Sequence, residues 1–201
     1  MDLIAKGAEA NLYRDGDSLV KERVEKKYRL TQLDNRLRKA RTKHEAKILK
    51  RLEEAGVSAP RLIEEDLEAK TIVMEYIDGV TLKEEFSKVD EKKIKKLGGQ
   101  IGELIADLHE NHVIHNDLTT SNLILKDGKI FLIDFGLSFV SHRLEDFAMD
   151  IVVFRKSLYA SHPKNADKIW EAITSAYEKN YKDSKSVFNR TKTIEKRVRY
   201  A

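Results

Sequence analysis

His115-Asn116-Asp117-Leu118-Thr119-Thr120-Ser121-Asn122 leads into Leu123-Ile124-Leu125, the pair Asp127-Gly128, then Ile130-Phe131-Leu132-Ile133, and finally Asp134-Phe135-Gly136. Two apolar, β-prone runs around Asp-Gly read as a hairpin. Asp117 stands five residues before Asn122. A tight loop between them can aim a carboxylate at a hydroxyl nucleophile and an amide oxygen at a metal ion. The hairpin returns Asp134 alongside, adding a carboxylate able to bridge a divalent cation to phosphate oxygens. Asp, Asn and Gly also end strands and cap turns for purely conformational reasons. The order of the two motifs around the hairpin is what carries the chemical reading.

Composition narrows the setting. The 201 residues are 41% hydrophobic and 36% charged, enough apolar content for a core. Cysteine is absent, which excludes disulfides, thiolate zinc sites and cysteine nucleophiles. The chain shows no apolar run of the roughly 18 residues needed to cross a membrane, and its N-terminus lacks the apolar stretch of a signal peptide. A cytoplasmic protein without membrane contact is expected. The net charge of +4 is unevenly spread: residues 21–51 hold 13 Lys and Arg against 4 acids, and residues 185–201 hold 6 against 1. Such clusters are either solvated faces or contacts for an anionic polymer.

Upstream of the motif, Leu3–Ala5, Ala10–Tyr13 and Ser18–Lys21 read as three short strands, with Asp15-Gly16-Asp17 as a turn. Residues 25–55 read as helix, on Leu30, Leu33 and Leu37 and then Ala46, Leu49 and Leu52, stopped by Gly56. Thr71–Ile77 reads as a further strand. Residues 90–110 carry an apolar stripe containing Gly98, Gly99 and Gly102, where close helix packing is expected rather than a nucleotide loop. From about residue 145 the pattern is helical, with one break at Ser161-His162-Pro163. His109, His112 and His115 are spaced by three, but Asn111–Ile114 breaks the helix and argues against a zinc site.

The segment 115–136 resembles the catalytic loop and metal-binding motif of protein kinases. That resemblance implies an α+β, two-lobed fold: an N-lobe of sheet and helix over residues 1–74, a hinge at 75–79 and a mostly helical C-lobe over 80–201. It implies ATP and Mg²⁺ as cofactors, with Asp117 as the catalytic carboxylate and Asn122 and Asp134 as metal ligands. Lys21 ends the third strand, where the kinase fold places its phosphate-binding lysine, and Glu45 is its implied ion-pair partner ahead of Glu53 and Glu54. Gly7, Ala8 and Glu9 stand where the glycine-rich loop would be, with a single glycine. Backbone groups at Glu75 and Ile77 would meet adenine. Asp150, or its rival Asp146, would brace the catalytic loop.

The resemblance is closest to the small atypical kinase of the KEOPS complex, of RIO-like protein-kinase fold, on Gly7-Ala8-Glu9-Ala10, the loop at 115–122 and the basic end. It implies an ATPase and autophosphorylating Ser/Thr kinase acting in threonylcarbamoyladenosine modification of tRNA. Its implied partners are a transferase subunit of sugar-kinase-like fold, the other KEOPS subunits, and tRNA through the complex. The charge of the basic end adds the expectation that Arg197 and Arg199, in mobile final residues, contact tRNA phosphates. Departures are visible. Asn116 replaces the usual Arg, or the Gly more frequent in the family; Thr119 replaces the usual Lys; no Ala-Pro-Glu follows Asp134-Phe135-Gly136. The last of these removes much of a peptide-docking platform. A small-molecule phosphotransferase and a catalytically weak scaffold or tRNA-binding module are the alternatives.

Overall fold

Asp127 and Gly128 both take positive φ, 50° and 78°, the backbone of a two-residue turn whose twist suits a hairpin. Around them β8 (Leu123–Lys126) and β9 (Lys129–Leu132) pair antiparallel, Leu123 against Leu132 and Lys126 against Lys129. The computed structural model describes residues 1–199, with side chains to residue 197. The chain divides into two compact units, Met1–Asp78 and Gly79–Ala201, the division falling inside the 75–79 segment.

The first unit is an antiparallel sheet with one long helix. Its strands are β1 (Asp2–Lys6), β2 (Ala10–Asp15), β3 (Ser18–Arg23), β4 (Leu62–Asp66) and β5 (Thr71–Glu75), in the order β1-β2-β3-β5-β4. β4 was not expected. Its sequence, Leu-Ile-Glu-Glu-Asp, is mostly exposed and acidic at three of five positions, so no buried alternation marks it. α1 (Thr31–Glu54) begins six residues later than its periodicity suggests. Leu30 and Leu33 are exposed, and the first buried side chain of the helix is Asp34. Residues before Thr31 are held instead by Asp34, which accepts from the Lys26 N–H and from Arg29 and Arg38. The core gathers Ala46, Ile48, Leu49 and Leu52 of α1 with Ile72 and Met74 of β5.

The second unit runs β6 (Val80–Thr81), α2 (Leu82–Glu85), α3 (Glu91–Glu110), β7 (Val113–Ile114), a 3₁₀ turn at Thr120–Asn122, β8, β9, β10 (Phe139–Val140), α4 (Leu144–Ser161), α5 (Ala166–Asn180) and α6 (Ser184–Arg199). Asp90 caps α3 by accepting from the Lys93 N–H at 2.8 Å. The C-terminal helices break twice, not once. Tyr181 is extended and buried, joining His109, Phe147 and Tyr177 in an aromatic cluster that a continuous helix would not form. Among the described residues no helix is long and apolar enough to cross a membrane.

α3 lies directly on α5. A Cβ on Gly98 would sit 2.6 Å from the Ala172 Cβ, and one on Gly102 would collide with the Ile173 carbonyl; at Gly99 it would meet open space. Gly102→Ala should therefore cost about 3 kcal/mol by overpacking. Gly99→Ala should gain about 1 kcal/mol of helix propensity. Opposite shifts in urea midpoint for the two variants are the expected result.

Candidate active site

In the second unit the loop after β7 is fixed from both sides. Asp150 of α4, 1% exposed, accepts the backbone N–H groups of His115 and Asn116 at 2.8 Å each. Asp146 instead accepts from the Ser141 hydroxyl at 2.6 Å, so Asp150 is the brace and its rival is not. His115 is buried against the Phe135 ring. Its Nδ1 accepts from the Asp117 N–H at 3.3 Å and its Nε2 lies 3.0 Å from the Ile133 carbonyl. The tautomer with hydrogen on Nε2 satisfies both nitrogens.

Asn122 donates from Nδ2 to the Asp117 carbonyl at 2.9 Å and to its carboxylate at 3.1 Å. The Asn122 carbonyl accepts from the Ile133 N–H at 2.9 Å, which brings the residue preceding Asp134 back to the loop. Asp117, Asn122 and Asp134 thus gather at one end of the β8–β9 hairpin. With Nδ2 engaged in the loop, Asn122 offers its Oδ1 as a hard oxygen donor. Together with the Asp134 carboxylate it forms a donor set suited to Mg²⁺. Asn116 and Asp134 both adopt left-handed backbone, φ 64° and 63°. Asn and Asp are the side-chain-bearing residues that tolerate this best, so Asn116 fits a backbone that otherwise favours Gly.

His162, at the end of α4, faces Thr120 in the 3₁₀ turn, Nε2 to Oγ1 2.9 Å. Burial, then the Lys83 ammonium, lowers its pKa below the ordinary 6.5. The folded chain thus favours neutral His162, while the unfolded chain binds a proton near pH 6.5. The stability this contributes is complete above that pH and is lost as pH falls toward the depressed folded value. Melting curves from pH 7.5 to pH 5 should show wild type losing more stability than His162→Gln.

In the first unit Lys21 (β3) donates from Nζ to Glu45 Oε1 (α1) at 2.6 Å, both buried. Arg23, which the sequence reading did not single out, holds the other oxygen, Nη2 to Oε2 2.5 Å. Its signal is alternation: residues 21 and 23 of one strand share a face. Glu53 and Glu54 lie exposed at the end of α1. In the Gly7–Glu9 loop, the Gly7 N–H donates to the Ala10 carbonyl at 2.9 Å. Lys26 donates to the Ala8 carbonyl, and Glu9 pairs with Arg41 at 2.5 Å. Glu75 gives its N–H to the Arg61 carbonyl at 2.9 Å, and Ile77 is buried. Arg14 stacks over Tyr76, 4.1 Å to the ring centroid, and pairs with Asp78 at 3.0 Å, stiffening the end of this unit.

Many cations of the basic clusters are paired within their own unit. Besides Lys21, Arg23, Lys26 and Arg41, the 21–51 cluster sends Arg29 and Arg38 to Asp34, Lys39 to Glu68 and Lys50 to Glu65. Burial alone would raise the Asp34 carboxyl, but the Arg38 hydrogen bond and charge, with help from Lys26 and Arg29, hold it below its ordinary value. The basic end is no loose tail. It is α6, packed on α4, with Arg190 bonded to Glu145, Arg197 3.6 Å from the same carboxylate, and Glu195 paired with Arg155 at 2.9 Å. The Arg199 side chain lies outside the described residues. The three histidines do not converge: His109 bonds Tyr177 at 2.8 Å, His112 stacks on His142, and His115 serves the loop.

The family description "RIO domain" matches residues 8–157. The "Probable bifunctional tRNA threonylcarbamoyladenosine biosynthesis protein" of Methanocaldococcus jannaschii is 41% identical over 202 residues, covering 98% of this chain and 37% of that protein. The protein of the same description from Methanobrevibacter smithii is 39% identical over 204 residues, covering 99% and 37%. The "KEOPS complex subunit Bud32" of Pyrococcus abyssi is 37% identical over 212 residues, covering 100% and 96%. The chain thus spans little more than a third of the first two relatives and nearly all of the third. With an antiparallel sheet and one helix in its first unit, a braced Asp117–Asn122 loop in a mostly helical second, and a match over three quarters of its length, the chain belongs to the RIO domain family.

Proposed function

We propose that this chain is an ATP-dependent phosphotransferase, acting as an ATPase and autophosphorylating Ser/Thr kinase within a KEOPS-type complex that modifies tRNA to threonylcarbamoyladenosine. The observation that carries the chemistry is the loop in which Asn122 bonds Asp117 while the Ile133 N–H holds Asn122, setting three oxygen-bearing side chains at one hairpin end. Lys21, oriented by Glu45, holds the α- and β-phosphates. The Gly7–Glu9 loop approaches the phosphates through its backbone. The Glu75 carbonyl and the Ile77 N–H receive adenine, since the Glu75 N–H is already spent on Arg61. Asn122 and Asp134 would hold Mg²⁺, which would supply positive charge to the phosphate oxygens. Asp117 orients the attacking hydroxyl, from water or Ser, and takes its proton.

The names of the relatives support the assignment to tRNA modification and to a KEOPS complex; a transferase subunit of sugar-kinase-like fold is proposed as a partner beside the other KEOPS subunits. Arg197 and Arg199 are proposed as tRNA contacts, and at Arg197 the RNA would displace Glu145. ATP hydrolysis by the chain alone, then with tRNA and KEOPS subunits added, tests the reading. Mg²⁺-dependent hydrolysis that rises in the assembly, with generic peptides poor acceptors, is the expected result. Rapid peptide phosphorylation by the isolated chain would assign it to ordinary protein kinase activity instead.

A further inference from the structure

We propose that Arg23 is a positioning residue for the nucleotide site: it fixes the Glu45 carboxylate so that the Lys21–Glu45 pair stands assembled in the resting protein. The inference rests on the ATP-site reading above. Lys21 and Arg23 are separated by one residue on β3, so both side chains leave the same face. Each takes one oxygen of Glu45, Lys21 Nζ to Oε1 at 2.6 Å and Arg23 Nη2 to Oε2 at 2.5 Å. The three residues are 9%, 5% and 1% exposed. Arg23 Nη2 also reaches the Arg41 carbonyl at 3.4 Å, about one helical turn before Glu45, and Arg38 Nη1 reaches back to the Arg23 carbonyl at 3.4 Å. The Arg23 N–H is itself held by the Lys70 carbonyl at 3.2 Å.

A lysine ammonium is a point charge on a flexible stem. It can hold one carboxylate oxygen without fixing the plane of the group. The guanidinium is a rigid fork, and its grip on the second oxygen removes that rotation. In kinases generally the Lys–Glu pair must be in place for phosphoryl transfer, and movement of the helix carrying the Glu controls it. Here a second cation on the lysine's own strand staples that helix, α1, to the sheet. The pair then needs no phosphorylated activation segment to form, in keeping with the missing Ala-Pro-Glu and with Asn116 where an Arg would receive the phosphate.

Removing one partner of a buried ion pair also destabilises a protein, so the test separates positioning from stability. Arg23→Lys and Arg23→Met are made in the full chain, alone and combined with Glu45→Gln, with folded fraction fixed by thermal melts. The KM for MgATP, kcat, and the rate of Lys21 acylation by an amine-reactive ester, located by peptide mapping, are measured. Arg23→Met should raise KM about tenfold with a smaller change in kcat, the mark of lost ground-state positioning. Arg23→Lys should fall between it and wild type. Lys21 should be acylated roughly threefold faster in Arg23→Met, because its partner is no longer held. In the Glu45→Gln background Arg23→Met should add less than about twofold, since it acts through Glu45. Unchanged KM and unchanged labelling in folded Arg23→Met, or an undiminished effect beside Glu45→Gln, overturns the proposal. A wild-type chain that neither binds nor hydrolyses ATP refutes the ATP-site reading instead, and Lys21 labelling still decides the clamp.

Discussion

Asp134→Asn should abolish Mg²⁺-dependent nucleotide binding together with turnover, whereas Asp117→Ala should abolish turnover and leave binding largely intact. Asn is the informative replacement at 134, because its backbone is left-handed there, φ 63°. Alanine would add about 1 kcal/mol or more of backbone strain to the chemical loss. Loss of the Asp117 carboxylate still leaves Asn122 bonded to the Asp117 carbonyl at 2.9 Å, so the loop keeps one of its two ties. The expected loss in kcat for Asp117→Ala is about 10²–10⁴-fold. Isothermal titration with a nonhydrolysable ATP analogue, with and without Mg²⁺, separates the two variants. Wild-type turnover in Asp134→Asn would remove the metal role from that residue.

Asp150→Ala should be the most damaging single change to stability. The carboxylate is buried and accepts two backbone N–H groups at 2.8 Å, with His109 Nε2 3.5 Å away. Truncation strands both donors away from water and frees the residues leading into Asp117. A cost of about 3–5 kcal/mol follows from leaving buried partners unpaired. In a chain of this size that lowers the melting temperature by roughly 10 °C. Activity should fall further than the folded fraction does, because the loop geometry depends on the brace. Calorimetry and turnover on the same sample make the comparison. An Asp146→Ala control, which removes only the partner of Ser141 and Arg143, should melt near wild type.

What the sequence made legible was local. Asp127-Gly128 between two apolar runs defines a hairpin because the turn chemistry sits in two adjacent residues. The spacing from Asp117 to Asn122 and on to Asp134 survives into geometry for the same reason. Gly98 and Gly102 announced close helix packing, though not which helix they meet. The decisions that stayed hidden were tertiary. β4 is a strand because β5 offers it an edge, not because Leu-Ile-Glu-Glu-Asp alternates. The start of α1 is set by a buried Asp34 and its arginines, while Leu30 and Leu33, counted in the helical spacing, are exposed. Arg23 looked like one more cation in a basic run. It shares Lys21's face of β3, and Glu45 of α1 draws it inward. The basic end, likewise, reads as a tail until Glu145 and Glu195 draw it onto α4.

The shared left-handed backbone of Asn116 and Asp134 offers a way to tell two kinds of selection apart. Saturating both codons and sorting the library first for folded protein should return a short alphabet at each site, rich in Gly, Asn and Asp, because φ alone does the filtering. Sorting the survivors for turnover should leave position 116 as it was and collapse position 134 to Asp. The difference between the two sorts is a direct reading of how much of each residue is owed to chain conformation and how much to chemistry.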